Sequence, residues 1–435
     1  MYEIIVGRDA DDRKKFGTEG TFLLGKHYVR MSQTTSLSNS VLMDVAKSHV
    51  VFITGKRGSG KSYSMMAIAE GMMSLPKAIT SRLSVVMFDT MGIYWTMKYE
   101  NRKDEALLRE WGLQYSEVNN RVYVPFGHFD EAKAKNIPVD ASFSIRPSEM
   151  SAADWCSAFS VEMVSPIGAL IGRILSAIGK NFGIDEIISA IQSDDRSDHY
   201  TQAAAENLFI TAKSWGLFSS DGISFADLVV PGQITIIDVS AYASSVSRSS
   251  VRALVIGIIS RKLFAERMEA RKLEEYHDVK SFTSIVPEES SVDETPLIWI
   301  MVDEAHEFLP REGITPATDA LQTLLREGRQ PGISLVLASQ QPGQIHTDVI
   351  TQSDIVIAHH ITAKVDVDAL GALMQSYMRT GLDKALAELP DEKGAALLFD
   401  DTNERLYPIR VRPRITWHGG SSPTVLKEET KFLEL

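Results

Sequence analysis

The chain has 435 residues, 44% of them hydrophobic and 23% charged, which is typical of a globular protein with roughly two to three domains. The single cysteine, Cys156, excludes an intramolecular disulfide framework, and the lack of a signal-like N-terminus or an apolar run of roughly 18 residues predicts a cytoplasmic protein without a membrane partner. The net charge of −12 excludes nucleic-acid binding by a generally basic surface, so any DNA contact would need local basic positions.

The first 48 residues predict a short β segment. Residues 21–31 and 41–47 have strand-like composition, and a turn rich in Ser, Thr and Asn separates them. This is too little chain for an independent barrel. We therefore interpret residues 1–48 as a reduced, barrel-like N-terminal segment.

A strand, loop and helix unit begins at His49. The β-branched run at residues 50–54 is followed by a glycine-rich turn and by an apolar-rich helical stretch. Further apolar runs that predict buried strands lie at residues 84–89, 233–239, 297–303, 332–339, 354–360 and 394–400. Because such strands alternate with predicted helices, the sequence indicates an α/β fold with a mostly parallel sheet covered on both faces.

The remaining stretches set the predicted domain organisation. Residues 148–227 are rich in helical patterns and lack a strong strand signal. We predict that they form a helical insertion in a core made of residues 49–147 and 228–415. The polar, acidic residues 274–295 predict a solvated loop, and residues 416–435 a C-terminal tail.

The strongest signal is a phosphate-binding loop between the first buried strand and its helix. Glycines let backbone N–H groups turn towards the phosphates of ATP, and the helix N-terminus adds its positive dipole end. We expect Lys61 to contact the β- and γ-phosphate oxygens and Ser62 to bind Mg²⁺. The residues that fit the pattern G-x-x-x-x-G-K-[ST], together with the next residue of the predicted nucleotide-binding set, are Gly55, Lys56, Arg57, Gly58, Ser59, Gly60, Lys61, Ser62 and Tyr63.

Polar residues after two further buried strands complete the predicted ATP site. Asp303 is expected to hold Mg²⁺ as the Walker B acid, and Glu304 is placed to polarise the attacking water. A helix N-cap is the alternative interpretation of this pair. Gln340 is expected to sense the γ-phosphate, with an ordinary strand-end turn as its alternative.

Arg329 is the predicted link to a second subunit. It precedes a turn at Pro331 and Gly332, where a guanidinium could project from the edge of one subunit. The fixed charge and forked donors of arginine suit a finger that stabilises the phosphoryl group in a neighbour's site. The alternative is a surface arginine paired with Glu327 or Glu312.

Other polar residues carry alternatives that the sequence leaves open. The basic residues Lys98, Arg102 and Lys103 would either line a DNA channel or start a solvated helix. Arg412 and Arg414 would either reach an adjacent subunit's nucleotide or belong to an edge strand.

His306 follows the predicted acidic pair closely. It would either contact nucleotide or lie as a satisfied histidine at a helix start. Among the His, Cys and Asp residues, no spacing in the sequence suggests a zinc site.

Together these motifs resemble the HerA family of FtsK/HerA-type hexameric ATPases. The likeness covers roughly residues 20–415, and it is carried by GKRGSGKSYSM, IMVDEAHEFLP, LLREGRQPGISLVLASQQPGQI and YPIRVRPR. The resemblance implies a RecA-like P-loop ATPase that forms a hexameric ring with ATP between subunits and DNA in the channel. It also implies a nuclease partner of the NurA type, and it assigns the roles given above to Lys61, Ser62, Asp303, Glu304, Gln340 and Arg329.

The chain departs from the family pattern in two places. Residues 89–94 read Asp-Thr-Met-Gly-Ile-Tyr, where the family usually has Asp-Pro-His-Gly-Glu-Tyr. Only 54 residues precede Gly55, whereas family members typically begin with a complete β-barrel.

The most favoured function is an ATP-driven translocase or helicase that acts on double-stranded DNA with a nuclease or other effector. A conjugation or secretion ATPase of the same motor class is one alternative. An ATP-dependent assembly platform for a prokaryotic defence effector is another. We expect DNA-stimulated ATP turnover to separate the translocase from the secretion ATPase.

Overall fold

The computed structural model describes residues 3–31, 34–243, 246–283, 295–373 and 382–419. The strands are β1 (Ile4–Val6), β2 (Thr21–Met31), β3 (Thr34–Asp44), β4 (Val50–Thr54), β5 (Leu83–Asp89), β6 (Asn120–Pro125), β7 (Ala141–Phe143), β8 (Ile234–Asp238), β9 (Leu297–Val302), β10 (Ile333–Ser339), β11 (Ile355–His359), β12 (Ala395–Asp400) and β13 (Arg405–Val411).

The helices connect these strands and cover both faces of the sheet. They are α1 (Ala10–Phe16), α2 (Lys61–Met73), α3 (Lys77–Thr80), α4 (Glu105–Glu110), α5 (Phe129–Ala134), α6 (Ala152–Ala158), α7 (Pro166–Ala177), α8 (Ile184–Gln192), α9 (His199–Lys213), α10 (Phe225–Leu228), α11 (Val246–Thr283), α12 (Thr318–Glu327), α13 (Thr347–Gln352), α14 (Lys364–Leu373) and α15 (Leu382–Ala387). Short 3₁₀ helices lie at Tyr94–Lys98, Arg102–Asp104, Phe126–His128, Pro147–Glu149, Ser240–Tyr242, Ala305–Glu307 and Pro342–Gln344.

All the strands belong to one sheet in the order β1-β3-β2-β13-β12-β11-β4-β10-β9-β5-β8-β6-β7. The strands from β11 to β7 pair in parallel, whereas β12, β13, β2 and β3 extend that block with antiparallel pairs. This arrangement confirms the predicted α/β fold with a mostly parallel central sheet. It also places the carboxyl ends of β4, β10, β9 and β5 side by side at one edge, where ligands bind in open α/β sheets.

Alternating side chains of each central strand enter two separate cores. In β5, Val86 and Phe88 pack into the core on one face, while Val85 and Met87 pack into the core on the other face. The strand repeats every two residues, so a strand that is buried on both faces needs an unbroken apolar run. This is why the buried strands could be recognised from composition.

The N-terminal segment adds strands to the central sheet. Within its described residues, β2 pairs with β13 at Ile409↔His27, and β3 and β1 follow at the outer edge. These strands extend the sheet and do not close a separate barrel. Val41 and Met43 of β3 are fully buried in the same core as α2, so the segment is packed against the phosphate-loop helix.

Residues 148–227 contain the helices α6 to α9 and no strand. Their packing is dominated by aromatic rings around Trp155, which is fully buried and lies 4.8 Å from the ring of Phe209 and 5.0 Å from that of Phe218. These rings belong to the same buried cluster as Phe88 of β5. The helices therefore share one hydrophobic core with the sheet.

The helix α11 extends further than the sequence indicated. Residues 274–283 continue this helix, so the prediction of a loop at 274–295 is wrong for them, and residues 284–294 lie outside the described part. Ion pairs of Glu274 with Arg267 and Arg271 give the polar end of the helix local support. Among the described residues, no helix combines the length and apolarity needed to cross a membrane.

The segment after β13 is bound to α2 through a buried glutamate. Glu70 is fully buried, and its carboxylate accepts hydrogen bonds from Arg414 Nε at 2.8 Å and from the backbone N–H of Ile415 at 2.9 Å. Arg412 donates to the backbone carbonyl of Ala67 at 2.8 Å. The hypothesis that Arg412 and Arg414 reach another subunit's nucleotide is therefore wrong, because both guanidinium groups are buried within their own chain.

A second buried polar cluster lies where β4 begins. His49 is buried between Asp44, whose Oδ2 lies 3.1 Å from Nε2, and Asp354, whose Oδ2 lies 2.6 Å from Nδ1. Burial opposes the charged imidazole, but the hydrogen bonds and charges of Asp354 and Asp44 outweigh it and raise the pKa of His49 from 6.5 to about 9. Arg8 also pairs with Asp44.

We expect this cluster to make stability depend on alkaline pH. His49 keeps its proton in the folded chain up to a pKa of about 9, whereas the unfolded chain loses it near 6.5. The stabilisation is therefore complete below pH 6.5 and is lost as the pH rises through 9, by about 3 kcal/mol. Urea unfolding at pH 6, 7.5 and 9.5 measures this loss.

His49→Gln provides the control, because it keeps a polar side chain but cannot titrate. Other groups, including Asp89 with its pKa raised to about 7, titrate in both proteins and cancel in the comparison. Parallel pH profiles for the wild type and His49→Gln would contradict a charged His49.

Candidate functional site

The predicted phosphate loop runs from the end of β4 to the start of α2. Gly60 caps α2 in the left-handed region with φ +116°, which disfavours any other residue type. A Cβ atom on Gly55 would lie 2.4 Å from Ser59 Oγ. Lys56 turns its carbonyl inward, where it accepts from Ser59 Oγ at 2.8 Å and from Lys61 Nζ at 3.3 Å.

Arg57 and Gly58 form the outer part of this loop. Arg57 is exposed, and a Cβ atom on Gly58 would meet nothing within 4 Å, so the rim of the loop faces open space. The loop is thus a backbone-lined cradle that opens outwards.

Ser62 and Asp303 meet directly although they follow different strands of the sheet. Ser62 Oγ, at the start of α2, donates a hydrogen bond of 2.6 Å to Asp303 Oδ2, which follows β9. Lys61 lies close by and is buried, and desolvation lowers its pKa while the charges of Glu304 and Asp303 oppose that shift. The structure therefore brings the predicted phosphate ligand and the predicted metal ligands together.

Tyr94 is a member of this cluster that sequence reasoning missed. Its hydroxyl donates to Asp303 Oδ2 at 2.9 Å, and its backbone N–H donates to Asp89 Oδ2 at 2.7 Å. Asp89 also accepts from the backbone N–H of Gly92 at 2.7 Å. The Asp, Gly and Tyr that this chain shares with the family pattern at 89–94 thus fold the loop after β5 against Asp303.

Asp89 lies beside a second buried carboxyl group. It pairs in register with Asp238 at the ends of β5 and β8. Burial, and then the charge of Asp238, raise the pKa of Asp89 to about 7 despite its backbone hydrogen bonds.

Glu304 is held in an unusual backbone conformation. Its φ of 50° and ψ of 42° lie in the left-handed region, which costs an L-residue other than glycine roughly 1 kcal/mol or more. Gln340, after β10, donates a side-chain hydrogen bond to Glu304 Oε1, while Oε2 is buried and has no hydrogen-bond partner among the described residues. Burial, with the charge of Asp303, raises the pKa of Glu304.

Two histidines border the cluster. His306 lies with Nδ1 3.2 Å from Ser339 Oγ, and burial lowers its pKa. His359, at the end of β11, lies beneath the phosphate loop. Its Nε2 atom lies 2.9 Å from Ser64 Oγ, and its Nδ1 atom lies 3.0 Å from the carbonyl of Ala395. Desolvation lowers the pKa of His359 to about 4. Sequence reasoning missed His359, since its only signal was its place at the end of a buried strand.

Tyr63 turns away from the cluster formed by Lys61, Ser62 and Asp303. Its hydroxyl accepts from the backbone N–H of Arg414 at 2.7 Å, and its ring lies 5.1 Å from that of His418. The described part of the predicted C-terminal tail, residues 416–419, therefore lies beside the start of α2, and residues 420–435 are outside the described part.

Arg329 lies at the other edge of the sheet. It is exposed in the turn before β10 begins, and the residues around it include 46–48, which precede β4. Among the described residues it has no carboxylate within ion-pair distance, so the alternative pair with Glu327 or Glu312 is not formed. A nucleotide in the chain's own loop is out of its reach.

The basic residues after β5 are engaged within the chain. Lys98 Nζ lies 2.6 Å from Asp140 Oδ2, and Arg102 pairs with Glu100 at 2.8 Å. The guanidinium of Arg102 also lies over the ring of Tyr115. Lys103 is exposed. These contacts favour the alternative of a solvated surface over a DNA-lining role for Lys98 and Arg102.

The residues present fit a magnesium-bound nucleoside triphosphate. The loop supplies N–H groups and one lysine for phosphate oxygens, while Ser62 and Asp303 supply the oxygen ligands that Mg²⁺ prefers. Glu304 Oε2 is buried without a hydrogen-bond partner among the described residues, and its neighbour His306 Nδ1 lies 3.6 Å away, so a water molecule beside the terminal phosphate would supply the donor that this oxygen lacks.

The fold and these residues define the class of the protein as a P-loop ATPase. The chain is similar to VirB4 of Thermoanaerobacter pseudethanolicus, with a TM-score of 0.52, 13% identity, and coverage of 90% of this chain and 96% of that one. At this identity the likeness concerns the fold alone.

Sequence comparison gives the family. Residues 30–263 match the model of the HerA helicase central domain, and the chain belongs to this family. The DNA double-strand break repair helicase HerA of Pyrococcus furiosus is 25% identical over 148 residues, 32% of this chain and 26% of that protein. The probable HerA helicase of Methanocaldococcus jannaschii is 30% identical over 120 residues, 26% of this chain and 24% of that protein. Each alignment spans about a quarter of the relative.

We expect replacement of Glu304 by glycine to stabilise the folded chain. The change relaxes the left-handed backbone and removes a buried carboxylate beside Asp303, for a combined gain of about 1–2 kcal/mol in the free energy of unfolding. Urea unfolding at pH 7 measures this gain.

Glu404→Gly is the matched control. Glu404 has the same φ of 50° but is exposed in a turn, so its replacement reports backbone relaxation alone. A larger gain at Glu304 than at Glu404 is the expected order. Equal gains would show that the buried charge costs nothing, and a loss at Glu304 would contradict the prediction.

Proposed function

We propose that this chain is the ATPase subunit of a ring that couples ATP hydrolysis, with Mg²⁺, to translocation of double-stranded DNA. The observation that carries the proposal is the meeting of Lys61, Ser62, Asp303, Glu304 and Gln340 at one edge of the sheet while Arg329 lies at the opposite edge. Because Arg329 cannot reach the nucleotide of its own chain, the site would receive this arginine from a neighbouring protomer.

Each residue at the carboxyl edge has a defined part in hydrolysis. Lys61 binds the β- and γ-phosphate oxygens, and Ser62 and Asp303 hold the metal ion. A magnesium ion held by these two residues would neutralise charge on the phosphates and polarise the terminal phosphoryl group. Glu304 accepts the proton of the attacking water, and its raised pKa brings it closer to the pH at which a general base works best.

Gln340 and Tyr94 position the two acidic groups. The amide of Gln340 fixes Oε1 of Glu304 and leaves Oε2 for the water. The hydroxyl of Tyr94 fixes Oδ2 of Asp303. Gln340 directly follows β10, which pairs with β9. If Glu304 moves when the γ-phosphate leaves, the hydrogen bond to Gln340 would therefore transmit the movement to the end of β10.

Double-stranded DNA is the substrate that family membership favours. The matched family is named for a helicase, and both curated relatives are named as DNA double-strand break repair helicases. The net charge of −12 requires that DNA contacts be confined to local positions, as in the channel of a ring. The proposal includes a homo-hexamer and a nuclease or other effector partner.

We expect Glu304→Gln to abolish ATP turnover while ATP still binds. The amide keeps the shape of the side chain but cannot accept the proton, so the catalytic rate should fall by roughly 100-fold or more. Lys61→Ala should instead weaken binding itself. Turnover is measured on protein of determined ring size, with and without linear duplex DNA, and the wild type should be stimulated by the duplex.

Glu312→Gln is the control for this experiment, because Glu312 is an exposed glutamate on the loop after the same strand. Full activity of Glu304→Gln would refute the assigned base. Turnover that ignores duplex DNA would refute translocation of DNA and favour the secretion-type or assembly-platform alternatives.

We expect Arg329→Ala to be inactive by itself and to regain activity when mixed with Glu304→Gln. Arg329→Ala protomers keep Glu304 in their own ATP site, and Glu304→Gln protomers keep Arg329. In a mixed ring, a complete site therefore forms wherever an Arg329→Ala protomer receives Arg329 from a Glu304→Gln neighbour. The isolated Arg329→Ala protein should lose roughly 10³-fold in rate. ATP turnover of the mixture, compared with the two proteins separately, tests this.

Arg326→Ala is the matched control. Arg326 lies one helical turn before Arg329, is exposed, and pairs with Asp348 of its own chain. Activity of Arg329→Ala without any partner would contradict the trans role.

A further inference from the structure

A basic cavity of about 390 Å³ lies at the amino edge of the sheet. Its walls come from residues 46–48 before β4, from the turn at 329–332 before β10, and from one side of α11. Arg329 is one of its lining residues, and Arg267 and Arg271 of α11 are two others. Three arginines from two distant parts of the chain therefore face one concave space.

The charge of this cavity is only partly neutralised. Arg267 is buried, and its guanidinium is held by Glu274 at 2.7 and 3.2 Å, although Nε has no hydrogen-bond partner among the described residues. Lys47 also lines the cavity, but its ammonium group is directed to Asp9 and Asp12. Among the residues that the structure describes, Glu274 is the single acidic side chain that lines the cavity.

Besides Arg329, Arg271 is the cation of this cavity whose guanidinium can bind an added anion. Its Nη1 atom lies 3.4 Å from Glu274, which Arg267 already occupies, and its Nη2 atom lies 3.1 Å from Glu275, a half-exposed side chain one turn along the helix. Pairs of this kind on a helix surface are weak and screened by salt. A phosphate that enters the cavity would compete successfully for such a guanidinium.

Packing fixes the spacing between α11 and the turn. Gly332 has φ +87°, and a Cβ atom there would lie 2.5 Å from Leu297 and 3.4 Å from the guanidinium of Arg267. The buried Arg267 therefore sits directly against the turn that carries Arg329. This contact holds Arg271 and Arg329 on the walls of the same cavity.

The chain's own nucleotide cannot be the anion that this cavity binds. The phosphate loop follows β4 and the cavity precedes it, so the five residues of β4 separate them by roughly 16 Å. In a ring of identical protomers, each interface joins two different surfaces of the chain. A cationic cavity at one edge is thus placed to meet an anion bound at the other edge of a neighbour.

We propose that Arg271 is a second trans-acting cation, which binds phosphate oxygens of the neighbouring protomer's nucleotide together with Arg329. This inference rests on the proposed function, because it requires the ring. Two guanidinium groups supply separate forks for the oxygens of the β- and γ-phosphates, and Arg267 acts as the positioning residue between them.

The test is complementation in mixed rings. Arg271→Ala alone should assemble normally and turn over ATP roughly 100-fold more slowly. Mixing it with an equal amount of Glu304→Gln should restore activity, since about a quarter of the interfaces then combine an intact site with an intact Arg271. A residue needed only for folding would show no such recovery.

Lys272→Ala is the matched control, because Lys272 is the exposed neighbour of Arg271 on α11 and does not line the cavity. It should behave as the wild type. The parallel mixture of Arg329→Ala with Glu304→Gln separates the two levels of the proposal. Recovery with Arg329→Ala but not with Arg271→Ala overturns the role of Arg271 and leaves the ring intact, whereas recovery with neither overturns both.

Two further outcomes would overturn the inference directly. Wild-type turnover by Arg271→Ala alone would show that the cavity has no part in hydrolysis. Unchanged turnover without DNA, combined with weaker binding of a linear duplex and a smaller salt dependence, would assign the cavity to DNA phosphates instead.

Discussion

The carboxylate of Asp303 is the group on which the arrangement of the candidate site depends. Its Oδ2 atom accepts hydrogen bonds from Ser62 and Tyr94, so three strand ends that are distant in sequence converge on one oxygen. A buried carboxylate is costly unless donors compensate it, and here the donors are a hydroxyl on the phosphate-loop helix and a hydroxyl on the loop after β5. The parallel sheet provides this convergence, because all its carboxyl ends lie at one edge.

Two histidines at the ends of neighbouring strands show how the same residue type serves opposite ends of the sheet. His49 at the amino edge is charged, because two carboxylates face its two ring nitrogens. His359 at the carboxyl edge is neutral, because it is desolvated and the positive charge of Lys61 also lowers its pKa to about 4. A charged His359 would repel Lys61. Because His359 is neutral, the positive charge here stays on Lys61, at the loop where phosphate binds.

The sequence predicted the central sheet, the phosphate loop and the acidic pair because these features are local. An unbroken apolar strand, a glycine-rich turn and a carboxylate directly after a strand can each be recognised within a few residues. Tyr94, His359 and Glu70 could not be found in this way, since each acts through a partner more than 200 residues away. Arg414 was misinterpreted for the same reason: its counter-ion on α2 is invisible in a linear pattern.

The arginines at the two edges of the sheet differ in how completely their charge is neutralised. Arg414 has its charge neutralised by Glu70, so the surface beside α2 gains no free cation from it. Arg329 at the amino edge has no such partner among the described residues, and the one carboxylate that lines its cavity is shared by Arg267 and Arg271. In a chain of net charge −12, a group of cations whose charge is only partly neutralised is a place where an anion is attracted. In the proposed ring, a nucleotide bound between protomers would supply that anion, and each interface would join the cationic edge of one chain to the phosphate-binding edge of the next.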